Sequence, residues 1–246
     1  MNLLEQKQTL LTHDADAFGL WRPDAAFRLM QEIAGAHSAA IGLSREDLIA
    51  SSNMVWMIAR AHLIVTRYPK LHDTIYARTW YDLPGRTTFP RYVTVTDGLG
   101  APLAALATSW ILVDISSRRI LPPGKAGLPF PEPAQLVSPL PEPGKLRLNK
   151  AGTPQIACRA PLYSDIDENG HMNNASYVSW ILDLFPLEQH SKKRIRSLCV
   201  GYSSEARPGE QVQMSLYRDG DRFEVQGIDF ADKHVVFEAQ GEWSPA

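Results

Sequence analysis

Hydrophobic and polar positions along the chain follow one order twice. In the first half, residues 23–41 place apolar side chains at helical spacing, with Pro23 suited to the first turn and Gly42 to the stop. This pattern predicts a buried helix. Stretches rich in Val, Ile, Thr and aromatic residues follow, separated by Pro, Gly or Asp. They predict four strands, at 55–66, 74–81, 88–96 and 104–115.

The second half repeats that order. Residues 175–185 predict a helix closed by Pro186. One face of this helix is apolar and consists of Tyr177, Val178, Ile181, Leu184 and Phe185. Strands are predicted after it at 195–202, 211–217, 223–229 and 235–243. One structural unit has therefore been used twice.

A proline-rich stretch from Pro122 to Gly144 separates the halves and holds eight of the 18 prolines. Because proline removes backbone donors and favours extended conformations, we expect a stiff linker here. The predicted organisation is an N-terminal domain at 1–121, a linker at 122–150 and a C-terminal domain at 151–246. A central helix wrapped by a curved antiparallel sheet, present twice, is an α+β arrangement whose two sheets can pair edge to edge.

A gapless comparison supports the duplication. Residues 13–27 align with residues 164–178 at a constant offset of 151. Three pairs are identical: Asp14 with Asp165, Asp16 with Asp167 and Gly19 with Gly170. Two polar residues of the second copy are apolar in the first, where Phe18 and Leu20 stand in place of Asn169 and His171. We therefore expect chemistry in the C-terminal half only.

Composition narrows the functional classes. With 44% hydrophobic and 21% charged residues and a net charge of -2, the chain can bury a core. It lacks the basic surplus that nucleic-acid binding needs, so no nucleic-acid partner is expected. The N-terminal residues resemble neither a signal nor a transit peptide, and no run approaches about 18 apolar residues, so we expect a cytoplasmic location without a membrane span.

The two cysteines, Cys158 and Cys199, fit no metal-binding spacing. We expect both to be buried thiols in a reducing compartment. No metal and no cofactor are expected.

A polar loop directly before the second helix carries the candidate chemistry. It delivers Asp167, Asn169 and His171, and Asn173 or Asn174 can cap the helix that follows. The free N–H groups and the positive end of the helix dipole favour negative charge developing on a carbonyl oxygen. The pattern predicts an oxyanion site, and a simple turn with a helix cap is the alternative interpretation.

The segment YSDIDENGHMNNASYVSWILDLFP resembles the second hot-dog domain of the acyl-acyl carrier protein (acyl-ACP) thioesterases of plant plastids and their bacterial relatives. That domain carries a similar D-x-N-x-H-x-N-N run before a helix. In the first half, RPDAAFRLMQEIAGAHSAAIG resembles the first helix of the family and ATSWILVDISSRRI its last strand. The resemblance implies a tandem double hot-dog fold and hydrolysis of fatty acyl-ACP, which releases free fatty acid.

The resemblance also implies four catalytic residues: Asp167, Asn169, His171 and Glu205. Glu205 lies in VGYSSEARPGE, which resembles the family's strand after the helix. Plant members often have a cysteine next, whereas this chain has Ala206, which argues against obligatory thiol catalysis. Either Asp167 or Glu205 could activate water with His171, or one could attack directly to form an anhydride.

In this family the acyl chain lies in a pocket lined by the first domain. The candidate substrate-binding residues are therefore Phe18, Leu20, Met30, Ile33, Val55, Met57 and Ile58, together with Asn173 and Asn174 of the helix cap. Acyl carrier protein is acidic, so the densest basic run is its candidate docking site. This basic run consists of Lys192, Lys193, Arg194 and Arg196.

Several alternatives stay open. The same fold could serve an acyl-CoA thioesterase or a dehydratase, and the chain could instead bind fatty acyl groups without catalysis. A double hot-dog pairs within one chain the two domains that single hot-dogs bring together by dimerising, so the expected state is a monomer or a homodimer.

Overall fold

A computed structural model describes residues 1–130 and 132–246; Pro131, which belongs to the predicted linker, lies outside the described residues. The chain divides into two units, Met1–Pro143 and Gly144–Ala246. The boundary between them lies inside the proline-rich stretch. Part of that stretch packs on the first unit, where Leu140 is 4% exposed and contacts a cluster with Trp80 and Tyr92.

The first unit combines helices with an antiparallel sheet. Its strands are β1 (Leu3–Thr9), β2 (Met54–Val65), β3 (Thr74–Tyr81), β4 (Phe89–Thr96), β5 (Pro102–Asp114) and β6 (Ile120–Leu121). Its helices are α1 (Pro23–Ala40), α2 (Arg45–Ser52) and α3 (Pro123–Ala126). The strand order is β1-β3-β4-β5-β2, neighbouring strands are antiparallel, and β6 pairs with β5.

Helix α1 forms the centre of the first unit. Pro23 occupies its first turn, where a missing N–H costs nothing. Phe27, Met30 and Ile33 are each 0% exposed, and the helix packs against β1, β2 and β3. Burial of side chains of this size contributes roughly 1.5–3 kcal/mol each, so this apolar face holds the helix on the sheet.

The second unit repeats the arrangement. Its strands are β7 (Gln155–Arg159), β8 (Lys193–Tyr202), β9 (Val212–Asp219), β10 (Arg222–Asp229) and β11 (Val235–Pro245), and its helices are α4 (Asn174–Leu182) and α5 (Leu187–Lys192). The strand order is β8-β11-β10-β9-β7, again antiparallel. Helix α4 packs on this sheet through Tyr177, whose ring lies 5.6 Å from that of Tyr202 and 5.2 Å from that of Phe237.

The structure corrects the sequence-based prediction in places. The predicted helix at 175–185 ends at Leu182, because the N–H groups of Leu184 and Phe185 bond to carbonyls only three residues earlier, at 3.2 and 3.1 Å, which tightens the turn.

The prediction that both thiols are buried is wrong for Cys158, which is exposed on the end strand β7. Cys199 is partly buried.

None of the helices in the described residues has the length and apolar character that a membrane-crossing segment requires.

A buried polar cluster surrounds Arg91, which is 1% exposed in the first unit. Its guanidinium donates to Ser38 Oγ at 3.1 Å and to Thr79 Oγ1 at 3.2 Å, and it lies 3.7 Å from the ring centroid of Tyr81. Its Nη1 lies 3.2 Å from Nδ1 of His37. Burial, together with the positive charge of Arg91, lowers the pKa of His37 to about 4. His37 is therefore neutral at neutral pH, and its Nδ1 can accept from Arg91.

This pKa predicts an acid-sensitive stability. His37 has an ordinary pKa of 6.5, so between pH 6.5 and 4 the unfolded state binds more protons and the free energy of unfolding falls as pH falls. We expect this residue to contribute a loss of about 2 kcal/mol between pH 7.5 and 5, at 1.36 kcal/mol per pH unit. Urea denaturation at the two pH values measures it. His37→Gln should show a smaller pH dependence, and an equal one would contradict the assignment.

Candidate active site

Two turns shape the loop before α4. The first is a 3₁₀ turn, Tyr163–Asp165, in which Asp165 Oδ2 accepts the backbone N–H three residues earlier at 2.9 Å. In the second, Asp167 Oδ1 accepts the Asn169 N–H at 2.8 Å. Gly170 has a φ of 75° and donates to the Asp167 carbonyl at 3.0 Å. Aspartate side chains thus hold both turns through local backbone bonds.

The first unit contains the same loop 151 residues earlier. Asp14 Oδ2 accepts the Leu11 N–H at 2.9 Å, and Asp16 Oδ1 accepts the Phe18 N–H at 2.8 Å. Gly19 has a φ of 71°. Because this loop makes the same bonds with Leu20 at the position of His171, the bonds of the shared aspartates account for its folding. The residues that differ between the two loops are the ones left for chemistry.

His171 pairs with Glu205 beside this loop. Nδ1 of His171 lies 3.1 Å from Oε1 of Glu205, and the two side chains are 47% and 26% exposed, so solvent and ligands reach them. Glu205 lies between β8 and β9, in a segment whose Ser203 and Ser204 N–H groups donate to the Val236 carbonyl at 2.8 and 3.2 Å. Since the carboxylate occupies Nδ1, the other ring nitrogen, Nε2, is left to exchange protons with a substrate or water.

The N-terminus of α4 adds a hydrogen-bond donor. Asn173 is the cap, and its Oδ1 accepts the Ala175 N–H at 2.8 Å. The Ser176 N–H donates to the Asn173 carbonyl at 2.9 Å. Among the hydrogen bonds of the described chain, the Asn174 N–H takes part in none. It is therefore the first-turn donor that remains for a ligand oxygen.

Both units match models of one protein family. Residues 2–122 match the acyl-ACP thioesterase N-terminal domain, and residues 152–244 match the acyl-ACP thioesterase C-terminal domain. The chain belongs to the acyl-ACP thioesterase family.

One relative in this family is the chloroplastic oleoyl-acyl carrier protein thioesterase of Coriandrum sativum, which is 25% identical over 207 residues. That alignment covers 75% of this chain and 54% of the relative. The chain spans about half the length of the curated relatives it matches.

Two solved structures of the family show the same fold. An acyl-ACP thioesterase from Bacteroides thetaiotaomicron superposes with a TM-score of 0.86 at 22% identity and covers 98% of each chain. The 12:0-ACP thioesterase from Umbellularia californica gives 0.85 at 20% identity and covers 99% of this chain and 98% of its own. The predicted α+β double hot-dog is confirmed.

The acyl-pocket residues predicted from the family lie in the first unit. Met30 and Ile33 are 0% exposed in α1, and Ile58 is 7% exposed in β2. The other members lie in β2 or in the loop before α1: Val55 and Met57 are partly buried, Leu20 is partly buried and Phe18 is 38% exposed. Each buried position is also explained by the core of the unit, so contact with an acyl chain stays a prediction.

Sequence reasoning missed the hydrogen bonds of two tyrosines beside the candidate catalytic loop. Tyr177 Oη accepts the Ala206 N–H at 3.0 Å, and Tyr202 Oη donates to the Asn174 carbonyl at 3.1 Å. Burial raises the pKa of Tyr177 to about 12 and that of Tyr202 well above its ordinary value. Both phenols are therefore protonated at neutral pH. The helical pattern places Tyr177 on the core face of α4, and its 3% exposure agrees with that placement.

The basic run predicted to dock the carrier lies beyond the other end of α4 from His171. The run comprises the last residue of α5 and the first residues of β8. His171, in contrast, precedes α4, a nine-residue helix about 13 Å long. Three of its members form ion pairs: Lys192 with Glu188, Lys193 with Asp221 and Arg196 with Glu242. Arg194 donates to the Lys193 carbonyl at 3.0 Å.

A groove of about 300 Å³ opens beside the basic run. Phe185, Phe223 and Trp243 contribute its apolar lining, and Arg218 and Arg222 also line it. Among the residues that the structure describes, neither arginine belongs to an ion pair, and Arg218 donates to the side-chain oxygens of Gln189 and Gln155 at 3.3 Å. The groove therefore places positive charge next to an apolar surface, although the acidic Glu188 also lines it.

Proposed function

We propose that this chain hydrolyses the thioester of fatty acyl-ACP and releases free fatty acid. The observation that carries the proposal is the contact between His171 and Glu205 next to the N-terminus of α4, in a chain that belongs to the acyl-ACP thioesterase family. The fold alone would not support it, because one fold hosts several activities.

The pair supports a water-activation mechanism. Glu205 orients His171 through Nδ1 and stabilises the imidazolium, so Nε2 can take a proton from water as the water oxygen attacks the thioester carbonyl. The Asn174 N–H and the positive end of α4 stabilise the resulting oxyanion. The carbon–sulfur bond then breaks, and the thiolate receives the proton from His171. Asn169 is assigned to orienting the substrate.

Asp167 has a different role in this proposal. Its Oδ1 already accepts the Asn169 N–H at 2.8 Å, as Asp16 does for Phe18 in the first unit. Glu205 is the carboxylate in contact with the imidazole. We therefore assign Asp167 to holding the loop and Glu205 to the chemistry.

Free-thiol release from a panel of acyl-ACP and acyl-CoA substrates of graded chain length tests the function. We expect the kcat/KM for thiol release to be higher with acyl-ACP than with acyl-CoA. A higher kcat/KM with acyl-CoA would identify the chain as an acyl-CoA thioesterase, and tight acyl binding without thiol release would make it a binding protein.

Single turnover in ¹⁸O water separates direct water attack from an anhydride: label found in the Glu205 carboxylate would overturn the water route.

The carrier is proposed to dock on the basic run and the adjoining groove. Their charge complements an acidic protein, and electrostatic complementarity acts mainly on encounter. The ion pairs with Glu188, Asp221 and Glu242 neutralise part of this charge, so we expect a modest contribution.

Changing Lys192, Lys193, Arg194 and Arg196 to glutamine should raise KM for acyl-ACP by about three- to tenfold at low salt and less at high salt, because salt screens the attraction. An acyl-pantetheine substrate, which lacks the carrier protein, is the control and should keep its KM. An unchanged KM for acyl-ACP at low salt would remove this docking site.

A further inference from the structure

We propose that Tyr177 is a positioning residue that fixes Glu205 against His171. The inference rests on the proposed function, since it assigns the residue to the same site. Its basis is the hydrogen bond from the Ala206 N–H to the Tyr177 hydroxyl at 3.0 Å, made by the residue directly after Glu205.

Glu205 lies in a segment without regular structure, between β8 and β9. On its N-terminal side the chain is bonded to β11, through the N–H groups of Ser203 and Ser204 and through Ser204 Oγ, which donates to the Val235 carbonyl at 3.1 Å. On its C-terminal side the Ala206 N–H bonds to Tyr177. These two attachments bracket Glu205. The Tyr177 hydroxyl thus limits where the carboxylate of Glu205 can go.

Tyr177 is well suited to hold a fixed position. Its ring is 3% exposed and packs against Trp180, Tyr202 and Phe237, with centroid distances of 6.2, 5.6 and 5.2 Å. Burial raises the pKa of Tyr177 to about 12, so the hydroxyl is neutral at neutral pH while its oxygen accepts the Ala206 N–H. In the described chain its own proton has no acceptor, which leaves it for water or a ligand.

Tyr177 also connects the two sides of the site. It lies one turn into α4, the helix that directly follows the His171 loop, and its hydroxyl bonds to the segment that carries Glu205. The distance of 3.1 Å between His171 Nδ1 and Glu205 Oε1 therefore depends on the hydrogen bond to the Tyr177 hydroxyl, whose position is fixed by α4. Displacement of a supporting group by a fraction of an ångström is enough to weaken a catalytic contact.

The first unit supports this assignment by contrast. At the offset of 151 that aligns the two loops, Tyr177 corresponds to Ala26, which is 0% exposed in α1. The loop-forming residues Asp165, Asp167 and Gly170 have identical counterparts there, whereas Asn169, His171 and Tyr177 do not. The phenol is thus present in the unit whose loop has His171 and absent from the corresponding position in the unit whose loop has Leu20 instead.

Tyr177→Phe tests the proposal, because it keeps the ring packing and removes the hydroxyl. We expect kcat for acyl-ACP to fall by about ten- to a hundredfold with KM within twofold. The pH profile of kcat/KM should also change, because it depends on the contact between His171 and Glu205. Tyr217→Phe on β9 is the matched control and should leave kcat, KM and the profile unchanged.

Two further measurements separate positioning from stability. In a Glu205→Gln background, Tyr177→Phe should have little additional effect on kcat, and full additivity of the two losses would overturn the proposal. The NMR signal of the His171 Nδ1–H proton, which reports its contact with Glu205, can be compared in wild type and Tyr177→Phe without substrate. A changed signal in the variant would support the positioning role even if no acyl-ACP were hydrolysed, and an unchanged signal would overturn it.

Discussion

Glu205→Gln is expected to lower kcat for acyl-ACP by about a hundredfold or more, which is the usual contribution of a general acid–base system. The glutamine keeps the size of the side chain and can still accept from His171 Nδ1, but it has no charge to stabilise the imidazolium. The exposed position of the pair, 26% for Glu205 and 47% for His171, means that folding should be unaffected. Equal urea midpoints for the variant and wild type would establish that the loss is chemical.

Asp167→Asn is the matched comparison for this result. Asparagine Oδ1 can still accept the Asn169 N–H, so the loop should keep its shape and kcat should stay within about tenfold of wild type. Asp167→Ala removes that bond and should lower the rate further. If Asp167→Asn were as damaging as Glu205→Gln, the Asp167 carboxylate would belong to the chemistry and the assignment of roles would be wrong.

Gly227→Ala is expected to destabilise the second unit by about 1–3 kcal/mol through overpacking. Gly227 on β10 lies opposite Phe237 on β11, and a Cβ at this position would lie 2.2 Å from Phe237 Cε1. The Phe237 ring is 0% exposed and is packed against Tyr177, so it has little room to move. The same arrangement occurs at Gly241, where a Cβ would lie 2.1 Å from Phe223 Cζ.

Urea denaturation measures the effect at Gly227, and Gly35→Ala is the control. A Cβ at Gly35 in α1 meets nothing within 4 Å, and alanine is favoured over glycine in a helix by roughly 0.5–1 kcal/mol. The control should therefore be neutral or stabilising. A Gly227→Ala variant as stable as wild type would show that Phe237 can shift without cost. If Phe237 instead displaces Tyr177, kcat should fall together with stability.

The two central helices and most strands could be predicted because their patterns are strong. Helix α1 follows a long apolar period that starts at a proline, and α4 places Tyr177, Val178 and Ile181 on one buried face. The end strands β1 and β7 were missed because most of their side chains are exposed, which weakens the alternation of apolar and polar positions.

The candidate site also has features that the sequence predicts and features that it does not. The spacing of Asn169, His171 and the cap residues could be seen within one short segment, but the choice of Asn173 as cap depended on the backbone. The partnership of His171 with Glu205 could be inferred only from the family, because the two residues are far apart in sequence. Tyr177 was missed because a buried tyrosine on a helix face looks like ordinary core until its hydroxyl partner is known.

The repeated loop has a consequence for the evolution of the site. Its shape depends on Asp165, Asp167 and Gly170, and the first unit retains that shape with phenylalanine and leucine at the positions of Asn169 and His171. Substitutions at those two positions are therefore expected to leave the fold of the loop unchanged. Activity can therefore be lost or altered in such a stretch one substitution at a time, because the loop keeps its fold at each step.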